Sequence, residues 1–142
     1  MKYCRIQLGK TDYRPLNNYQ YLYQFDINKL NQIYKVYCEH KQFTSVMPIF
    51  DTQYHNEHTD VIGYYDNTEL VAFSLVRTYD QHNAEALQFA WDYRNPKLRL
   101  GIESLKNECA LYKARGFEYL YLGQADEYKS QLDGFELLGL LP

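Results

Sequence analysis

The stretch Lys97-Leu98-Arg99-Leu100-Gly101-Ile102-Glu103 sets one glycine and two cations where an amphipathic helix begins. A helix starting there points unpaired amides outward, and its dipole draws an anion to that end. Glycine removes the side chain that would hold a phosphate off those amides, and Lys97 and Arg99 add positive charge. The same glycine equally suits close packing of the helix on the preceding strand, with both cations solvated. The residue pattern alone leaves both options open.

Other chemistries find less support. His55 and His58 sit with Glu57 and Asp60 in a polar run, but the His-Glu-x-x-His order of helical zinc sites is missing, so no metal is expected. A Gly-x-Ser-x-Gly elbow, a P-loop and a Cys-x-x-Cys pair are all absent, which disfavours serine hydrolase, nucleotide hydrolase and thioredoxin-like activity. Cys109 falls on an apolar helix stripe and is a poor nucleophile there. Sixteen tyrosines cluster at strand or helix spacing, as at Tyr19-Tyr21-Tyr23 and Tyr119-Tyr121. They suit half-buried strand faces, or the walls of a ligand groove.

The elements that must position these residues follow from the pattern. The 142 residues, 46% hydrophobic and 23% charged, fit one domain over residues 1–142 with a single core. No apolar run reaches the ~20 residues of a membrane span, so no membrane partner is expected. Three widely spaced cysteines and an N-terminus lacking a signal-peptide core favour a reducing cytoplasm. A net charge of -3 and a pI near 5.8 give no global attraction to nucleic acid.

Along the chain, "KYCRIQL" predicts a first strand, and the polar segment through Gln24 a loop. Asp26 is placed to cap a helix carrying Ile27, Leu30, Ile33 or Tyr34, and Tyr37 on one face. "FTSVMPIFDTQYHNEHTD" reads as loop around Pro48. "VIGYY" and "ELVAFSLVRTY" flank a turn at Asp66-Asn67-Thr68, and "AEALQFAWDY" continues the sheet. In that strand Leu87, Phe89, Trp91 and Tyr93 alternate with Ala86, Gln88, Ala90 and Asp92, predicting one bulky and one mostly small face. Leu98, Ile102, Leu105, Cys109 and Tyr112 then form one buried helical stripe. Gly116 closes that helix, "FEYLYL" follows as a strand, "ADEYKSQL" as a short helix and "FELLGLL" as a final strand. The fold class is α+β: a mixed, mostly antiparallel twisted sheet with helices on both faces. One parallel strand pair is joined by the long helical crossover.

Four stretches carry a family likeness: "ELVAFSLV", "FAWDY" followed by "LRLG", "YLYLG", and "EYK" shortly after. In order and spacing the sequence resembles the GNAT acyltransferase superfamily, and within it the catalytic domain of the aminoacyl-tRNA–protein (arginyl and leucyl) transferases. The likeness covers roughly the last two thirds of the chain. It implies that the loop before the long helix, Leu98, Arg99, Leu100, Gly101, Ile102 and Glu103, receives the phosphates of an acyl donor such as acetyl-CoA. It also implies that the adjacent parallel strands splay apart to admit the donor's arm. Backbone amides of Phe89, Ala90 and Trp91 would then polarise the carbonyl, and Tyr128 would serve as general acid. Glu85 or Asp92, on the strand before the crossover, would be the base, and Lys129 could meet a phosphate or carboxylate.

Against the usual signature at this turn, Leu98 stands where a cation or amide belongs and Glu103 where a small residue belongs, which counts against coenzyme A. Three functions are therefore carried forward. The first is an N-acyltransferase moving an acyl group from acetyl-CoA or another acyl-CoA to an amine of a small molecule or protein. The second is an aminoacyl-tRNA-dependent protein transferase, favoured by a basic patch of Lys97, Arg99, Lys106 and Lys113. The third is a non-catalytic binding module, favoured by a closed strand splay. A homodimer is compatible with all three.

Overall fold

The computed structural model describes residues 2–43 and 57–140. Strands β1 (Lys2–Gln7) and β2 (Tyr19–Tyr21) precede helix α1 (Ile27–Lys41). Next come β3 (Thr59–Asp66), β4 (Glu69–Thr78) and β5 (Asn83–Trp91). Helix α2 (Leu100–Ala114) crosses over to β6 (Tyr119–Gln124), and β7 (Phe135–Leu140) ends the described chain. The seven strands form one sheet in the order β2-β3-β4-β5-β6-β1-β7, antiparallel throughout except for β5 beside β6.

Local chemistry accounts for these boundaries. The Asp26 carboxylate accepts the Asn28 amide at 2.9 Å and starts α1, while Gln42 in the left-handed region ends it. Asn67, also at positive φ, turns β3 into β4. Gly116, at φ 92°, follows the end of α2 and donates to the Lys113 carbonyl. Helix α1 packs Leu30 and Ile33 against Val61, Phe73, Leu75 and Ala90 on one face of the sheet. Helix α2 places Leu100, Leu105 and Cys109 with Cys4, Ile6, Leu120 and Leu122 on the other.

Four expectations change. The Tyr-rich segment predicted as loop contributes β2, with Tyr19 and Tyr21 paired to Tyr64 and Ile62. The segment "ADEYKSQL" forms only a 3-10 turn at Lys129–Gln131. Helix α2 is not buried along one stripe: Ser104, Asn107 and Glu108 are buried with its apolar residues, because the crossover sits over the centre of the sheet. In β5 the alternation breaks at Leu87. Leu75 pairs with Gln88 but Val76 with Ala86, so Leu87 is an extra, bulged residue. As a result Ala84 and Ala86 share the α2 face with Phe89 and Trp91, and Leu87 is exposed. The loop predicted around Pro48 lies mostly outside the described residues.

Candidate active site

The parallel pair is where the sheet opens. β5 and β6 are in register only from Asn83↔Tyr119 to Glu85↔Tyr121, at their N-terminal ends. Beyond that point each strand carries a one-residue bulge on its other edge. Leu87 is the extra residue of β5, and Leu122 that of β6, where Gly123 takes φ 72°. A bulge bends its strand and increases its twist, so two bulges directly past the last shared pair drive the strands apart.

A cleft of ≈160 Å³ fills the gap, lined by Ala86, Leu87, Gln88 and Phe89 of β5, by Leu122 of β6, and by Tyr128 and Lys129. Its floor is one face of α2, made by Gly101, Ser104, Leu105 and Glu108 at helical spacing. Tyr37 of α1 closes one side. That side is an aromatic wall: the Tyr37 ring meets Phe89 edge-on at 5.9 Å and stacks on Tyr93 at 6.0 Å, and Tyr93 contacts Trp91 at 4.6 Å.

At the anion end, the amides of Ile102 and Glu103 both donate to the Arg99 carbonyl. Among the described residues neither Leu100 nor Gly101 donates its amide to a carbonyl, so these two remain for a ligand. A Cβ on Gly101 would meet nothing within 4 Å. The packing explanation for this glycine is thereby removed, since the helix does not need it to approach its strand. What lies over Gly101 is open cleft. Lys97 and Arg99 are exposed beside it, and Glu103, the carboxylate that would repel a phosphate, faces Lys106 at 3.8 Å. What the turn could offer a phosphate-bearing donor is the open glycine at the cleft, with the exposed cations Lys97 and Arg99 on the residues before it. Leu98 is half-buried against the core and offers no polar group.

The carbonyl and acid residues are split by the structure. Phe89 lines the cleft, whereas Ala90 and Trp91 are buried, one in each half of the core. Tyr128 lines the cleft and is 43% exposed as a residue, and its hydroxyl is held above the ordinary phenol range by burial first, then by nearby Tyr37 and Asp126. Lys129 is not a solvated helix lysine. Its ammonium donates to the Leu122 and Gln124 carbonyls at 3.1 and 2.9 Å and pairs with Asp126 at 3.1 Å. It ties the turn carrying Tyr128 onto the bulged end of β6.

Neither candidate base lines the cleft. Glu85 accepts the Tyr79 hydroxyl at 2.7 Å beside the last paired residues of β5. Asp92 turns to a separate depression against α1, where it accepts the Arg94 amide at 2.9 Å and pairs with the Arg94 guanidinium. Among the described residues, the one carboxylate in the cleft lining is Glu108, which sequence reasoning missed. Glu108 Oε2 accepts the Tyr64 hydroxyl at 2.5 Å and the Ser74 hydroxyl at 2.8 Å. Asn107 donates to the same Tyr64 oxygen at 3.1 Å and accepts the Leu16 amide at 2.8 Å, which fixes Tyr64 from behind. Burial pushes the Glu108 carboxyl from 4.5 up to about 7, against the two hydroxyl hydrogen bonds that pull it down. A pattern signal existed: Glu108 lies four residues from both Ser104 and Tyr112, inside the apolar stretch.

Of the four cations whose clustering would favour the tRNA-dependent function, Lys106 is paired with Glu103, and Lys113 donates to the Thr11 carbonyl. Glu57 Oε1 and His58 Nε2 lie 3.2 Å apart at the surface, and His55 lies outside the described residues. Among the described residues no helix is long and apolar enough to cross a membrane.

No protein-family model matches the chain, and no curated protein does. Solved structures do match. The C-terminal domain of a protein described as a lysylphosphatidylglycerol synthetase from Agrobacterium fabrum aligns at TM-score 0.66 and 12% identity, over 87% of this chain and 46% of that one. A protein assigned as an acetyltransferase of the GNAT family, from Novosphingobium aromaticivorans, aligns at 0.66 and 17%, over 95% and 58%. The Saccharomyces cerevisiae N-myristoyltransferase with bound myristoyl-CoA aligns at 0.58 and 14%, over 94% and 46%. The chain has the GNAT fold, and it spans about half the length of these neighbours.

Proposed function

We propose that this chain is an N-acyltransferase that moves an acyl group, acetyl from acetyl-CoA first among donors, to an amine of a small molecule or protein. The observation that carries it is the parting of β5 and β6 into a cleft that runs from Gly101 to Tyr128. A closed pair would have suited a binding module; the open one leaves room for an acyl arm.

In this reading the amides of Leu100 and Gly101, with Lys97 and Arg99, hold the donor's phosphates at the start of α2. The edge of β5 at Phe89 to Trp91, which has no strand partner on the β6 side, polarises the acyl carbonyl. Tyr128 gives its proton to the leaving sulfur as the carbon–sulfur bond breaks and recovers one from the nitrogen of the new amide. Its raised hydroxyl keeps it protonated at neutral pH, as a general acid must be. The amine must attack in its neutral form, so an amine that enters as an ammonium needs a further proton acceptor in the cleft.

The test is thiol release from acetyl-CoA over a panel of primary amines. Amine-dependent release would support the proposal, and no release with acetyl, longer-chain acyl or aminoacyl donors would reject it. A second reading has one specific support: a neighbour named for a lysyl-bearing lipid, beside a donor turn with leucine and glutamate at the unusual positions. There the transferred group is aminoacyl and the donor a charged tRNA.

A further inference from the structure

Glu108 is nearly inaccessible at 1% exposure, and it has no cation partner among the described residues. Both hydroxyls that reach it converge on one oxygen, Oε2. Among the described residues the hydrogen bonds to Glu108 leave its other oxygen, Oε1, without one, and the side chain lines the cleft. A buried carboxylate normally finds a positive partner or several donors, because leaving it short of either is costly. Among the described residues the one cation in the cleft lining, Lys129, is already held by two carbonyls and Asp126. The cleft thus offers a carboxyl group lacking a counter-ion, beside the aromatic faces of Tyr37, Phe89 and Tyr128. Aromatic faces attract a desolvated cation.

Resting on the acyl-transfer reading above, we infer that Glu108 receives the ammonium of a primary-amine acceptor through Oε1 and takes its proton. The balance is simple. One N–H proton passes to the Glu108 carboxylate and the freed nitrogen pair forms the new carbon–nitrogen bond. The second surplus proton reaches the leaving sulfur by way of Tyr128, and Glu108 later releases its own to water. Glu108 replaces Glu85 and Asp92 in that role, since neither lines the cleft.

The groups facing Glu108 are these. Tyr64 approaches from β3 and the non-titrating Ser74 from β4; Cys109 and Tyr112 flank it on α2; Gln88 of β5, Tyr37 of α1, and Tyr128 and Lys129 after β6 share the cleft. None of the tyrosines or Cys109 ionises near neutrality, because burial raises all of them. A pH response near 7 in this cleft therefore belongs to Glu108. Removing the Tyr64 hydroxyl, which favours the ionised form, moves that response to higher pH.

Two measurements test the inference. In the first, the Glu108 carboxyl is titrated by carbon-13 NMR in the full chain, alone and with saturating benzylamine or benzyl alcohol. Benzylamine is expected to lower the Glu108 midpoint by roughly one pH unit or more, as a nearby opposite charge does, and benzyl alcohol to leave it in place. A midpoint indifferent to benzylamine overturns the inference. In the second, thiol release is followed against pH for wild type, Glu108→Gln and Tyr64→Phe. Glu108→Gln keeps an acceptor for Tyr64 and Ser74, so the fold is preserved while the proton acceptor is lost.

The expectation is a loss of about 100-fold or more in kcat with the acidic limb gone, and a limb shifted upward in Tyr64→Phe. Unchanged pH profiles in both variants overturn the role of Glu108 while leaving acyl transfer intact. If no donor supports transfer yet benzylamine still moves Glu108, the ammonium site stands and the acyl-transfer reading falls.

Discussion

Glu108→Gln should make the protein more stable, by an amount that depends on pH. The ordinary carboxyl value of 4.5 applies to the unfolded chain, and burial raises it to about 7 in the fold. Between those two values the folded state keeps a proton that the unfolded state has lost, so stability falls as pH rises through this window. Below 4.5 both states are protonated and the penalty is absent; above 7 both are ionised and it is fully present. At about 1.36 kcal/mol per pH unit the penalty reaches roughly 3 kcal/mol above pH 7, less to the extent that water in the cleft solvates Oε1. Glutamine never ionises. The stability of Glu108→Gln relative to wild type should therefore grow by roughly 3 kcal/mol from pH 4.5 to 8, or about 10 °C in Tm for a chain of this size. Urea unfolding at six pH values gives the difference directly. A difference that stays constant from pH 4.5 to 8 would refute the burial of Glu108 as an ionising group.

Gly101→Ala should raise stability by about 0.5–1 kcal/mol, because a helical glycine costs that much relative to alanine and the added Cβ meets only open cleft; a fall in Tm would show that the space is filled. Tyr128→Phe should lower kcat for thiol release by about 100-fold with little change in donor binding, and an unchanged rate would remove Tyr128 as the acid. Gly134→Ala should cost about 2 kcal/mol or more in a denaturation midpoint, since a Cβ at φ 76° would collide with the Gln7 carbonyl. An unaltered midpoint there would contradict the Gln7–Gly134 pairing that joins β1 to the β7 turn.

The fold was legible where periodicity and capping agreed. The Asp26 cap, the Asn67 turn, the crossover from β5 to β6 and the Gly116 stop each follow from a residue that one conformation favours. Gly101 was legible as an anomaly, and the open space above it removes close packing as its explanation. The bulges were not legible. Leu87 looks like one member of an alternating strand, and only its register against β4 shows the extra residue. Gly123 was the available hint for its partner bulge, hidden by its likeness to an ordinary strand end. Glu108 escaped because polar residues in an amphipathic helix are assigned by default to solvent. The crossover helix lies over the open part of the sheet and buries almost its full circumference. Glu85 and Asp92 fall outside the cleft lining for a related reason: strand position fixes which residues are near the crossover, but not which side of the bulge they face. Lys129, read as able to meet a phosphate or carboxylate, is held by β6 carbonyls and by Asp126.

The most direct test of the cleft as a donor site is thermal unfolding of wild type and Gly101→Trp with acetyl-CoA at about 100 times its dissociation constant. A ligand that binds only the folded state then adds about 2.7 kcal/mol. The expected result is a clear rise in Tm for wild type and none for the variant, whose indole fills the cleft beside Leu100 and Gly101. An equal rise in both would place the donor elsewhere. No rise in wild type with acetyl-CoA, longer acyl-CoA or aminoacylated tRNA would contradict the assignment of this cleft to acyl transfer.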